Sequence, residues 1–291
     1  ITGAGLDTTT FTALSDSSGV AAAPVTANSV EGSYVVTATA LGFSPPLTFT
    51  LTNLECYNQV VTTDADSGPG SLRQAVSDAC DGARITFAGD YAIYLDSTIS
   101  INKTLTIDGE EHAIIVSGDS NDDGGRDVRV FLIEESAVVT MTYLAIVDGS
   151  DSSAGAFEYG AGIKNAGTLT LNQSILANNS GRRFGGALYN SGTLTVNDSA
   201  IVNNDGGAYG GGLLNYATAT INNSFIAGNQ VTDWGGGILN YDTLTVVNSA
   251  LLANDADSGG GLYAAGSSTT ISNSTFTANA ASFGGAIDNE W

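Results

Sequence analysis

The chain has 291 residues, enough for one large domain or two modest ones with a sizeable buried core. Its 8 Lys and Arg against 30 Asp and Glu give a formal charge of −22, which argues against nucleic acids and anionic membrane surfaces as partners. No stretch approaches the roughly 18 apolar residues of a membrane span. A single His and two Lys also leave few residues for acid–base or nucleophilic chemistry.

Residues 1–54 alternate polar and apolar side chains with a period of two, which is typical of strands. We predict three or four antiparallel strands of an incomplete β-sandwich, because a complete Ig-type sandwich takes about 100 residues. We therefore expect this fold to begin upstream of Ile1. The strand-like segments start at residues 11, 23, 33 and 47.

Residues 67–87 change character and predict a short amphipathic helix. Leu72, Ala75, Val76 and Ala79 fall on one helical face, and Ser71 precedes them as an N-cap. Such a helix would cover the open apolar end of a coil of strands, and solenoids need a cap of this kind for solubility.

Two cysteines flank and enter this segment, with 24 residues between their positions. A disulfide between Cys56 and Cys80 would fit a secreted protein, and two buried thiols are the alternative.

Repeats of about 25 residues occupy the chain from residue 160 onward. The six repeats are spaced by 25, 25, 25, 24 and 25 residues, and the first five continue with a Thr-rich apolar alternation. Strands of about three to five residues cannot bury their apolar faces alone, so successive units must stack. Upstream the pattern is looser, and we predict earlier rungs at 98–109, 112–118, 129–134 and 138–149. The repeats begin GAGIKN at 160, GGALYN at 185, GGGLLN at 210, GGGILN at 235, GGGLYA at 259 and GGAIDN at 284.

Coiling one repeat per turn predicts an all-β fold, a single-stranded parallel β-helix of about eight or nine turns over residues 55–291. Each Leu, Ile or Val would then lie above its equivalent at the strand spacing of ~4.8 Å. Asn side chains at equivalent positions can exchange amide hydrogen bonds, and Asn and Gly tolerate the left-handed conformation of sharp corners. The predicted structural Asn ladders are Asn165, Asn190, Asn215, Asn240 and Asn289, broken at Ala264, and Asn179, Asn204, Asn229, Asn254 and Asn279.

Two resemblances follow from these residues. The stretch VTTDADSGPGSLRQAVSDACDGARITF at 61–87, followed by TLTIDG, RVF and the repeats, resembles bacterial right-handed parallel β-helix surface proteins. These include the polymorphic outer-membrane-protein-like and adhesin-like repeat families. Residues 15–53 resemble the C-terminal half of bacterial Ig-like domains of the invasin type. The resemblances imply a right-handed coil after a partial Ig-like domain, in a large secreted or cell-anchored protein that acts as a stalk, adhesin or matrix.

An aromatic residue recurs just before most of the glycine pairs, and Ser258 fills the one rung that lacks it. Stacked rings one rung apart stabilise a solenoid corner. The same rings could instead form a platform for sugar rings, with Tyr216 and Tyr241 repeating in a neighbouring slot. The glycan-stacking candidates are Tyr159, Phe184, Tyr209, Trp234 and Phe283.

The acidic run 119–127 has the oxygen spacing of a calcium loop. Asp119, Asn121 and Asp123 stand at the first, third and fifth positions, and Asp127 stands at the ninth. Val130 occupies the twelfth position, where such a loop carries Glu. A calcium-stiffened loop and a solvated acidic turn both fit this pattern, and no other cofactor is predicted.

Enzymes are the natural rivals, because the right-handed β-helix also carries pectate lyases and glycosidases. Glycosidases need paired carboxylates, which equivalent positions on neighbouring rungs would supply. The repeat holds Asn, Ser, Thr and Gly at those positions instead, so we expect no catalytic residues and a non-enzymatic protein. The Asp residues of the repeats fall in different slots: Asp198, Asp233, Asp242 and Asp257.

The sequence thus favours an extracellular or cell-surface structural or adhesive protein, with end-to-end assembly into a fibre or sheath as a further expectation. The expected partners are further copies of the chain, or a surface or glycan, without nucleic acid or membrane insertion. The alternative is a β-helix protein that binds or degrades polysaccharides, in the manner of a pectate lyase.

Overall fold

The computed structural model describes residues 11–22, 32–40, 42, 44–53, 58–110, 112–151, 159–265 and 268–290. The chain divides into two units, Ile1–Tyr57 and Asn58–Trp291. Among the described residues, no helix combines the length and apolar character needed to cross a membrane.

The first unit contains one antiparallel strand pair within its described residues. Strand β1 (Gly32–Ala38) pairs with β2 (Leu47–Asn53), so that Gly32 lies opposite Asn53 and Ala38 opposite Leu47. These strands match two of the predicted segments. The segment at residue 11 is wrong as a strand, because residues 11–16 have no strand structure, and the segment at residue 23 lies outside the described residues. The Ig-like sandwich stays a prediction.

The second unit is a parallel β-solenoid of about nine turns, as the repeat predicts. Each regular turn contributes one strand to each of three parallel sheets, which we name the first, second and third sheet in chain order of a repeat. The first sheet contains β3 (Gln59–Val61), β4 (Ala83–Phe87), β7 (Leu105–Asp108), β10 (Val138–Thr142), β13 (Thr168–Asn172), β16 (Thr193–Asn197), β19 (Thr218–Asn222), β22 (Thr243–Val247) and β25 (Ser268–Ser272).

The other two sheets contain eight strands each among the described residues. The second sheet contains β5 (Tyr91–Tyr94), β8 (Ile114–Ser117), β11 (Leu144–Val147), β14 (Ile175–Ala177), β17 (Ala200–Val202), β20 (Phe225–Ala227), β23 (Ala250–Leu252) and β26 (Thr275–Thr277). The third sheet contains β6 (Ile99–Ile101), β9 (Phe131–Ile133), β12 (Ile163–Asn165), β15 (Leu188–Asn190), β18 (Leu213–Asn215), β21 (Ile238–Asn240), β24 (Leu262–Ala265) and β27 (Ile287–Glu290).

The register between turns follows the repeat without slippage. In the first sheet Leu169 pairs with Leu194, Leu194 with Ala219, and Ala219 with Leu244, and all four side chains are fully buried. The alternate residues point outward as in-register columns of Thr. Because side chains of a strand alternate between its two faces, a slip by one residue would expose the whole apolar set, and the Leu–Thr alternation therefore fixes the register.

The predicted helix is present as α1 (Leu72–Asp78). The Ser71 side chain accepts a hydrogen bond from the Gln74 backbone N–H, which is the N-cap arrangement expected from the sequence. Leu72 and Val76 are buried in the same apolar core as the solenoid strands. The role of this helix as a cap on the open end stays a prediction.

Glycine residues open each repeat because the corner requires them. The first glycine of the motif has a positive φ, with +63° at Gly210 as an example, where L side chains are strained. The Asn side chains of the two predicted ladders do not occupy left-handed positions. The residue just before the second ladder does so instead, as at Asn178 and Asn203, with φ of 57° and 55°. The ladder Asn residues are therefore selected for their amides rather than for their backbone conformation.

Candidate functional site

The first Asn ladder lies inside the solenoid at the end of the third sheet. Asn165, Asn190, Asn215 and Asn240 are fully buried, and each of the first three donates from Nδ2 to Oδ1 of the next over 2.7 Å. The ladder stops at Ala264, as the sequence predicts, and Asn289 in the last described turn is exposed.

The second Asn ladder lies just after the second sheet and bonds each turn twice. The Oδ1 atom of Asn204 accepts hydrogen bonds from both the backbone N–H and Nδ2 of Asn179, at 2.9 and 3.0 Å. The same pattern repeats from Asn204 through Asn229 and Asn254 to Asn279. Both ladders act as structural elements, because their polar atoms face one another inside the coil.

A serine ladder accompanies them, which sequence reasoning missed although Ser follows Asn or Asp in most repeats. The Ser174 backbone N–H donates to Ser199 Oγ over 3.0 Å, and the hydroxyl of Ser199 donates to the Asn197 carbonyl oxygen. The recurrence of one Ser every 25 residues was the available signal. Its further members are Ser224, Ser249 and Ser274.

The predicted calcium loop is held by its own backbone. Asp119 accepts hydrogen bonds from the N–H groups of Asn121, Asp123 and Gly124, and Asp123 accepts one from Gly125. Hydrogen bonds from Ser120 hold the pKa of Asp127 below its ordinary value. Among the described residues, no group of three or more His, Cys, Asp or Glu side chains is arranged to hold a metal ion. The geometry thus supports the acidic-turn interpretation.

The predicted disulfide is described at one end only. Cys80 is disulfide-bonded, whereas Cys56 lies outside the described residues, so the pairing of Cys56 with Cys80 stays a prediction.

The aromatic residues before the glycine pairs form a continuous strip of rings. Ring centroids of Tyr159, Phe184, Tyr209 and Trp234 follow one another at 4.9, 5.3 and 5.2 Å, and Trp234 continues to Tyr263 at 5.4 Å. A second row runs beside it and joins it through Tyr159 and Tyr189 at 4.7 Å. We call these rings the aromatic face: Tyr159, Phe184, Tyr209, Trp234 and Tyr263 with Tyr189, Tyr216 and Tyr241.

The middle of the aromatic face covers a small second core outside the third sheet. Leu214 and Leu239 are fully buried there and Tyr263 nearly so, with Phe184 and Tyr209 packed around them. Near-parallel stacking, as between Phe184 and Tyr209 at 18°, places ring faces against each other. This part of the face therefore has the structural role that the sequence analysis allowed. Phe283, the last glycan-stacking candidate, is 65 % exposed and is separated from Trp234 by Ser258.

Burial keeps the phenols of the second row neutral. Burial is the largest cause of the raised pKa of Tyr189 and Tyr241, and it raises the pKa of Tyr216 to about 12 with the help of the neighbouring Tyr241. These hydroxyls are therefore hydrogen-bond donors as well as acceptors at neutral pH.

Two of the few cations of the chain lie against the aromatic face. Lys164 Nζ is 5.9 Å from the centre of the Tyr159 ring, and Arg183 Cζ is 5.3 Å from that of Phe184 and 5.9 Å from that of Tyr209. Such contacts are favourable because the ring face is electronegative.

A pocket of about 630 Å³ opens where the aromatic face begins. Glu134 and Glu135 follow β9, Lys164 lies in the middle of β12, and Tyr189 lies one turn later in β15 directly beside it. Tyr159 and Ser191 complete the polar and aromatic lining. Sequence reasoning missed this pocket, because Glu134 and Glu135 stand in an irregular turn and only the coil brings them beside the first repeat.

Neither a scan against protein-family models nor a search of curated proteins finds a match for the chain.

Proposed function

We propose that the chain is an extracellular structural or adhesive scaffold. The observation that carries this proposal is the buried amide ladder from Asn179 to Asn279, which ties each turn to the next at both backbone and side chain. A coil bonded in this way resists local opening, because separating two turns would leave buried amides without partners.

The outer surface of this coil is suited to display. Outward Thr columns of the first sheet repeat at every turn, with Thr170, Thr195 and Thr220 in register. The formal charge of −22 favours solubility and opposes lateral clumping of such β-surfaces. Assembly of copies into a fibre or sheath belongs to the same proposal, and light scattering of the full-length protein at rising concentration tests it.

Antibody labelling tests the proposed location. Antibodies against the chain should label intact, unpermeabilised cells that produce it, or material that these cells release. An antibody against a cytosolic protein is the control for cell integrity. Labelling that requires permeabilisation would overturn the extracellular assignment.

A polysaccharide-binding protein is the second candidate, and exposed rings on the aromatic face favour it. Trp234 is 37 % exposed and Tyr216 is 42 % exposed, although both belong to stacked rows. Large aromatic side chains that remain open to solvent are common in ligand sites. Quenching of Trp fluorescence by a polysaccharide would support this candidate. Release of reducing ends or unsaturated uronates during the same incubation would show cleavage, contrary to the expected non-enzymatic role.

A further inference from the structure

The pocket at the start of the aromatic face differs from the rest of that face, because it leaves ring surface open. The ring partners of Tyr159 among the described residues are Phe184 and Tyr189, both of which belong to the following turn. In the preceding turn the position beside Lys164 is Leu132, which carries no ring. The row of rings therefore begins at Tyr159, and its first ring borders the pocket instead of another ring.

Polar groups of both kinds surround this ring. The carboxylates of Glu134 and Glu135 are acceptors, and the Lys164 ammonium is a donor on the same pocket wall. Ser100 Oγ donates to Glu134 Oε1 over 2.7 Å, which fixes the position of that carboxylate. The phenol of Tyr189 stays protonated, since burial raises its pKa.

This combination matches the chemistry of a sugar. A pyranose presents an apolar C–H face, which packs on an aromatic ring, and a rim of hydroxyls that both donate and accept. Carboxylates and an ammonium form charge-assisted hydrogen bonds with such hydroxyls, and these are stronger than neutral ones. The volume of about 630 Å³ lies within the range of small-molecule sites.

Charge decides between neutral and acidic sugars. The pocket holds two carboxylates against one ammonium, and the whole chain carries −22. A uronate would bring a further negative charge beside Glu134 and Glu135, which like-charge repulsion disfavours. A neutral sugar bears no such penalty.

We propose that the pocket formed by Glu134, Glu135, Tyr159, Lys164 and Tyr189 is a binding site for a neutral oligosaccharide. The inference rests on the polysaccharide-binding candidate and deepens it. It names one end of the aromatic face as the site, and hydroxyl-bearing, uncharged sugars as the ligand class.

Calorimetric titration of the full chain tests this site with a panel of neutral gluco-, xylo-, manno- and galacto-oligosaccharides and an oligogalacturonate. We expect at least one neutral sugar to bind, with the oligogalacturonate about tenfold weaker or not detectable. Glu135→Gln and Tyr159→Ala should each weaken binding of the neutral sugar about tenfold, through loss of a charge-assisted hydrogen bond and of the ring.

Two control variants separate the pocket from the rest of the molecule. Glu110→Gln changes another exposed glutamate outside the pocket, and Tyr216→Ala removes an exposed ring farther along the aromatic face. Both should bind the neutral sugar like the wild type. Circular dichroism and melting of every variant identify loss of folding, and the conservative Glu135→Gln change gives a result if Tyr159→Ala does not fold.

The outcomes distinguish this inference from the broader candidate. Binding that is lost in Tyr216→Ala and kept in both pocket variants would overturn the pocket and leave polysaccharide binding in place. Tighter binding of the oligogalacturonate than of every neutral sugar would overturn the ligand class. An absence of binding across the whole panel would overturn both the inference and the polysaccharide-binding candidate.

Discussion

Asn190 donates from Nδ2 to Oδ1 of Asn215 over 2.7 Å, and both side chains are fully buried. The same bond recurs one turn earlier and one turn later, so each interior amide both donates and accepts. At one end of the ladder, Asn165 Oδ1 is buried without a hydrogen-bond partner, because Ile133 occupies its position in the preceding turn. At the other end, Ala264 interrupts the ladder, and Asn240 donates to Asp242 and Thr269 instead.

Removing an interior member should be costly. Asn215→Ala leaves Asn190 without its acceptor and Asn240 without its donor inside the coil, and we expect a loss of about 2–3 kcal/mol in the free energy of unfolding. Urea unfolding measures this change. Asn222→Ala is the control in the same turn, because its amide bonds to Asn197 on the half-buried outer surface and should cost less than about 1 kcal/mol. Equal losses in the two variants would contradict the ladder account.

Filling the gap should stabilise the chain. Ala264→Asn places an amide between Asn240 and Asn289, which it faces on the two sides. We expect a gain of about 1 kcal/mol from the restored hydrogen bonds. Ala265→Asn is the neighbouring control, since this half-buried residue lies beside the ladder rather than in it. A melting temperature of Ala264→Asn at or below that of the control variant would show that the ladder does not extend this way.

A side chain cannot be tolerated where the glycines of neighbouring turns meet. A Cβ added to Gly211 would clash with the carbonyl oxygen of Gly236, whereas the atom nearest to a Cβ on Gly89 is Tyr91 Oη at 3.7 Å. We expect Gly211→Ala to cost about 1–3 kcal/mol and Gly89→Ala to be close to neutral. Thermal unfolding of the two variants measures the contrast, and an unchanged melting temperature for Gly211→Ala would be inconsistent with this close approach.

The phenol of Tyr216 should titrate late. Its pKa is about 12 in the folded chain against about 10 in an unfolded one. Because the folded pKa is the higher one, the stabilising contribution of the neutral phenol is complete below pH ~10 and is lost as the pH rises through about 12. Tyrosinate absorbance during an alkaline titration measures this, and Tyr216→Phe should remove one late-titrating group. A titration curve of the variant that differs from the wild type only near pH 10 would contradict the shift.

The solenoid could be predicted from residue spacing because its period is written in the chain. One Asn, one Ser and one Leu or Ile recur every 25 residues, and in-register stacking follows from that recurrence. The aromatic rows were predicted as a stack, but the buried Leu214 and Leu239 beneath them were not, because both residues lie on the outer side of their strands. The pocket was unpredictable for another reason. Glu134 and Lys164 are brought together across an irregular insertion whose length alone decides which side chains become neighbours.

Cell attachment measures the central claim most directly, namely that the chain serves as an extracellular structural or adhesive scaffold. Cells that produce the chain should be compared with cells that lack it and with complemented cells, for attachment to surfaces and to one another and for a visible surface layer. We predict weaker attachment or a lost layer without the chain, and recovery on complementation. Unchanged attachment together with an unchanged cell surface would contradict the account.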